Sequence, residues 1–168
     1  MKILKNYDEI QSRLKDLGEI ISGQHDEVTL LIALSGGVYT GIDLSKYIKI
    51  PCKLEFVKIS SYGNERQSGI IELKWISASK GKNLGNVVIV DDICDTGNTL
   101  TYLVKYLKNN YQFSSIKTLT LLDKPIRREV NIEPDYVGFS IDNVFVYGYG
   151  LDNKEYDRNI TDVKVLED

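Results

Sequence analysis

Between Val87 and Thr99 the chain reads VVIVDDICDTGNT: an apolar run, two adjacent carboxylates, a third at Asp95, then hydroxyl and glycine residues. A loop 95–99 set between a strand and a helix offers unpaired backbone N–H groups and the positive helix end to an anion. Gly97 lets the backbone approach closely, and Thr96 and Thr99 add hydroxyl donors, so Asp95, Thr96, Gly97, Asn98 and Thr99 form a candidate phosphate cradle. Asp91 and Asp92 would repel a bare phosphate. A ligand that also brings hydroxyl donors or Mg²⁺ resolves the conflict, and a ribose 5-phosphate with free 2′ and 3′ hydroxyls and an accompanying cation does both.

Such a site needs a strand before it and a helix after it. NVVIV reads as a buried strand, TLTYLVKYLKNN as a helix with Leu100, Leu103, Val104 and Leu107 on one stripe, and IKTLTLL as the next strand. Upstream, Tyr7, Ile10, Leu14, Leu17 and Ile21 recur at helical spacing behind Asn6 and Glu9, which are placed as a cap. TLLIAL reads as a strand buried on both faces, SGGVYTG as a turn and IDLSKYI as a helix. KLEFVKI and IIELKWI form a hairpin with the long polar tip SSYGNERQSG, a flexible loop. In the last third, YVGF, VFVYGYG and VKVL are short strands of a small cap region or of the sheet edge. The alternation predicts an α/β fold with a mainly parallel sheet flanked by helices, whose ligands lie outside the carboxyl ends of the strands.

The 168 residues suit a single domain, 1–168, and 42% apolar with 27% charged residues is ordinary for a soluble protein. No apolar stretch approaches the roughly 20 residues of a membrane span, and MKILKNYDEIQ lacks a secretory pattern, so no membrane partner and a cytoplasmic location are expected. Cys52 and Cys94 lack metal-like spacing and are expected to be reduced thiols, with no structural zinc. His25, the one histidine, reads as a solvated loop residue. A net charge of −3 speaks against general nucleic-acid binding, which depends on Lys and Arg.

VVIVDDICDTGNT resembles the phosphoribosyl pyrophosphate signature of type I phosphoribosyltransferases. Together with SSYG, LLDKP, DYVGF, FVYGYGLD and EYDRN in that order, nearly the whole chain resembles the hypoxanthine-guanine phosphoribosyltransferases. The resemblance implies transfer of the 5-phosphoribosyl group from phosphoribosyl pyrophosphate to N9 of hypoxanthine or guanine, with Mg²⁺, giving IMP or GMP and pyrophosphate. It implies that Asp95 is the catalytic acid–base group near purine N7, with capping of the following helix as a compatible second role. Asp91 and Asp92 would address the ribose hydroxyls and the metal, and Asp152 the metal and pyrophosphate beside the base. Lys124 would bond the purine 6-oxo group, Phe145 stack on the base and Val146 offer backbone contacts.

Arg158 would hold pyrophosphate, as would Ser35 and Gly36 in the LSGG loop, and Ser61 and Tyr62 would belong to a closing loop. The chain departs from the family pattern at Asp91, where Glu is commoner, at Ser35, where Lys is frequent, and at Asn153, where an aromatic is frequent. A homodimer or homotetramer is expected, without nucleic acid. VVIVDD also resembles the first strand of a phosphorylation-receiver domain, but the chain after Asp92 is too short for that fold. The remaining rival is a regulatory relative that senses phosphoribosyl pyrophosphate and binds nucleic acid, for which KPIRRE supplies a small basic cluster.

Overall fold

In the computed structural model, residues 1–62 and 69–167 are described. The elements in chain order are β1 (Lys2–Lys5), α1 (Tyr7–Gln24), β2 (Val28–Leu34), α2 (Val38–Lys46), β3 (Cys52–Tyr62), β4 (Ile70–Ile76), β5 (Asn86–Cys94), α3 (Asn98–Asn110), β6 (Ser115–Asp123), a 3-10 turn (Pro125–Arg127), β7 (Tyr136–Ser140), β8 (Val146–Tyr147) and β9 (Val163–Val165). The main sheet has the order β4-β3-β2-β5-β6-β7 and is parallel except for β4, which pairs antiparallel with β3. A second, antiparallel sheet has the order β1-β9-β8.

Period-two alternation explains why the central strands are almost wholly apolar. Leu30 and Ile32 of β2 and Val88 and Val90 of β5 join Ile10, Leu14, Leu17 and Ile21 of α1 in one core layer. Their strand neighbours Leu31, Ala33, Val87 and Ile89 join Leu100, Leu103 and Leu107 of α3 in the layer on the opposite face. The α1 start is fixed by a reciprocal cap: the Glu9 N–H donates to Asn6 Oδ1 at 2.9 Å and the Asn6 N–H to Glu9 Oε2 at 2.9 Å.

Three local expectations need correction, and one strand had not been expected. The strand read as NVVIV continues to Cys94, so Asp91 and Asp92 lie within β5, held in register by the Asp91–Thr120 and Ile93–Leu122 pairings with β6. Helix α2 begins at Val38 rather than at Ile42, because Gly41 packs so closely on Ile32 that a Cβ would fall 2.4 Å from its Cγ1. That tertiary contact overrides the turn-like look of SGGVYTG. The strand β1 had no sequence signal of its own and exists by pairing with β9. VFVYGYG contributes only Val146 and Tyr147 to a strand, since Gly148, Tyr149 and Gly150 take positive φ.

Candidate active site

The main sheet reverses direction of growth at β2 and β5: β2 leads on to β3 on one side, and β5 leads on to β6 on the other. Loops leaving adjacent strands in opposite directions open a crevice at their carboxyl ends. The loop 35–37 after β2 and the loop 95–97 after β5 form its two rims.

On the β5 side, a cleft of about 260 Å³ is lined by Asp91, Asp92, Asp95, Thr96, Gly97 and Thr99 among others. Gly97 caps α3 with φ 87°, and a Cβ there would meet Ile132 Cγ2 at 2.5 Å and Arg128 Cδ at 3.0 Å. Only glycine fits both the left-handed backbone and the loop packed behind it. The amides of Thr96, Gly97 and Thr99 donate to no acceptor among the described residues, as an anion cradle requires. Asn98 is different. Its N–H donates to Thr96 Oγ1 at 3.2 Å and its Nδ2 to Glu129 Oε2 at 3.1 Å, and it does not line the cleft.

Asp95 does not cap α3, contrary to the sequence reading: the N-cap is Gly97, two residues further on, and the Asp95 carboxylate pairs instead with Arg127, whose Nε lies 2.9 Å from Oδ1. Arg128 braces the cradle from behind. Its guanidinium donates to Asp123 Oδ1 at 2.6 Å, to Asp95 O at 2.8 Å, to Cys94 O at 3.3 Å and to Ile132 O at 2.9 Å. The basic cluster KPIRRE is therefore largely committed: Lys124 is buried, Arg128 is half-buried and paired with Asp123, and Arg127, though exposed, is paired with Asp95. Sequence inspection missed both arginines as site residues, since a basic run beside a proline also describes an ordinary solvated turn.

Asp91 is buried, and its carboxyl is raised well above the usual carboxylate range, first by burial and then by the charge of Asp92. Burial raises Asp92 as well, against its hydrogen bonds to Asp91 and the Ile93 N–H and the attraction of Arg158. Among the described residues no cluster of three His, Cys, Asp or Glu side chains could hold a metal ion, so Asp91, Asp92 and Asp152 are not assembled into a cation cage. Asp152 instead pairs with Arg158 at 3.4 Å. Two crowded carboxylates still fit Mg²⁺, which is commonly held by one or two carboxylates and completed by substrate oxygens and water.

On the β2 side, Gly36 lies against Asp92 so tightly that a Cβ would fall 1.9 Å from its Oδ2. Gly150 crosses above it, where a Cβ would meet Gly36 O at 2.1 Å, and Arg158 Nη1 donates to Gly150 O at 2.7 Å. The Gly37 N–H is committed to Ala33 O at 2.9 Å, whereas the amides of Ser35 and Gly36 donate to no acceptor among the described residues. Lys58 of β3 reaches this rim, its Nζ 2.9 Å from Ser35 Oγ. It was not singled out from the sequence, because its reach depends on the Leu34–Lys58 register of two strands.

A second cleft, of about 570 Å³, is lined by Asp92, Ile93, Asp95, Lys124, Phe145, Val146 and Asp152, with Leu151, Asn153, Lys154 and Leu166 completing its walls. The Lys124 N–H donates to Cys94 O at 2.9 Å, which ties the end of β6 to the end of β5. Burial lowers the Lys124 ammonium from its ordinary range, while Asp95 pulls it back up. Phe145 is 53% exposed, so its ring is available on the wall rather than spent in the core. Asp92, Ile93 and Asp95 line both clefts and form the partition between them.

The expected closing loop lies largely outside the described residues. Ser61 is exposed, pairs with Ile71 and lines neither cleft; of Tyr62 the backbone pairing with Ile70 is described, and residues 63–68 lie outside the described residues.

Comparison with known proteins gives a consistent set of relatives. The family described as "Phosphoribosyl transferase domain" matches residues 4–154. The chain is 40% identical to a hypoxanthine-guanine phosphoribosyltransferase of Lactococcus lactis, over 99% of this chain and 91% of that protein. It is 39% identical to the bifunctional protein TilS/HprT of Listeria innocua over 99% of this chain, but spans only 26% of that longer relative. A crystal structure of a hypoxanthine-guanine phosphoribosyltransferase from Bacillus anthracis superimposes with a TM-score of 0.90 at 33% identity, covering 99% of each chain. No helix among the described residues is long and apolar enough to cross a membrane.

Proposed function

The chain belongs to the phosphoribosyltransferase family, and from that premise we propose that it transfers a 5-phosphoribosyl group from phosphoribosyl pyrophosphate to N9 of hypoxanthine or guanine. The observation that carries this reading is the partition: two clefts share Asp92, Ile93 and Asp95 as a common wall, and the reading puts the sugar phosphate in one and the flat base in the other. A bond formed between the two ligands would form at that wall.

In this reading the free amides of residues 96, 97 and 99 hold the 5′-phosphate and fix the pentose. Phe145 stacks on the purine and the Lys124 ammonium donates to its 6-oxo oxygen, so adenine, with a donor at that position, is rejected. The nitrogen N9 displaces pyrophosphate from C1. Asp95 accepts a hydrogen bond from N7–H and takes the proton released as the purine becomes N9-substituted, while Arg127 on Oδ1 leaves Oδ2 free for that contact. Arg158 and the amides of Ser35 and Gly36 receive the departing pyrophosphate. Asp91 and Asp92 would hold Mg²⁺ together with the ribose hydroxyls, and the bound cation supplies Lewis-acid neutralisation of the leaving group. Assembly as a homodimer or homotetramer belongs to the same proposal.

The test is turnover with Mg²⁺, phosphoribosyl pyrophosphate and each of hypoxanthine, guanine, xanthine and adenine. IMP and GMP should form and AMP should not, and Asp95→Asn should lower kcat by about 10²–10⁴-fold with the fold intact. Absence of nucleotide from every base, together with tight, salt-sensitive RNA binding, would favour the regulatory rival. Near-normal turnover in Asp95→Asn would reject its proton role.

A further inference from the structure

The loop Ser35–Gly36–Gly37 carries no charged side chain of its own, although the proposed function has it meet a polyanion. The fold supplies one from another strand. Lys58 sits directly across from Leu34 in the β2–β3 pairing, one residue before Ser35, and its Nζ donates to Ser35 Oγ at 2.9 Å. It forms no ion pair with a carboxylate among the described residues, unlike Lys46, Lys82 and Lys117, which are each paired with Asp or Glu. The side chain is half-buried, so its charge is less screened than that of a free surface lysine.

We propose that Lys58, steered by Ser35, is the cation of the pyrophosphate loop in this chain: a binding residue for the pyrophosphate group, supplied from β3 in place of a lysine in the loop itself. The Ser35 hydroxyl holds the ammonium at the rim with one of its three donors, leaving two for a ligand oxygen. That oxygen is also reached by the unpaired amides of Ser35 and Gly36. The Gly150 backbone, packed against Gly36, is held by Arg158, so a second cation is tied to the segment that packs on the same loop. The assignment rests on reading loop 35–37 as the pyrophosphate subsite.

Calorimetric titration of the whole protein with magnesium pyrophosphate and, separately, with IMP tests it. Lys58→Met should weaken pyrophosphate about tenfold or more and raise KM for phosphoribosyl pyrophosphate in step, with IMP affinity and thermal midpoint kept. Lys58→Arg should retain most of the affinity. Ser35→Lys added to Lys58→Met should restore it, because the charge returns to the same rim from the loop. Unchanged pyrophosphate affinity in Lys58→Met overturns the assignment and leaves the proposed activity standing. Parallel loss of IMP and pyrophosphate affinity, or no recovery on adding Ser35→Lys, marks a structural lysine and also overturns it. A wild-type protein that binds neither ligand overturns both readings.

Discussion

Replacing Arg128 by Met should be the most damaging single change near the phosphate cradle. The side chains of Arg128 and Asp123 are 11% and 6% exposed and 2.6 Å apart, so the methionine variant leaves a carboxylate without its counter-charge and without room to rehydrate. Removing one member of a buried ion pair costs about 3–5 kcal/mol. The second carboxylate nearby, Glu133 at 4.0 Å and 78% exposed, adds little because solvent screens it. For a chain of this size, about 2–4 °C of thermal midpoint accompanies each kcal/mol, which places the expected drop at about 6–20 °C. Urea unfolding should give the same free energy. Because the guanidinium also holds Cys94 O and Asp95 O, the affinity for a 5′-phosphate should fall as well. Arg128→Met combined with Asp123→Asn should be less destabilised than Arg128→Met alone, since the orphaned charge is gone. A loss below about 1 kcal/mol, or a double variant whose loss is the sum of the two single ones, would refute the reasoning.

Two further changes probe the neighbouring backbone and acids. Gly97→Ala must adopt φ 87° and push against Ile132 and Arg128, at a cost of about 1–3 kcal/mol, and it should weaken IMP binding; an unaltered melting point and IMP affinity would show that the loop yields freely. Asp91 is held protonated to higher pH in the fold than in the unfolded chain, where its value is about 3.9. Its stabilising contribution is thus complete below that value and is lost as pH rises through the raised folded one. Asp91→Asn should accordingly melt above the wild type at pH 7.5 in the absence of Mg²⁺, with the gap closing towards pH 4; a lower melting point at pH 7.5 would contradict the crowding of the two acids.

The strands and helices that carry the site were legible because their patterns are local. The unbroken apolar run before Asp91 belongs to a strand covered on both faces, the stripe of Leu100, Leu103 and Leu107 to a helix covered on one, and Asn6 with Glu9 to a cap closed within four residues. Gly97 and its threonines were legible for the same reason, as a short stretch that sets its own backbone shape.

What the sequence could not reveal depends on residues far apart in the chain. Asp95 misses the helix it precedes because α3 begins only after Gly97, and its carboxylate meets Arg127 from across the end of β6. β1 becomes a strand only beside β9, and α2 starts early only because Gly41 meets Ile32. The residue types and their order determined the family and the chemistry of the cradle. Tertiary structure alone decided which charges face one another, since Coulomb energy and burial depend on distances that strand register and loop packing set.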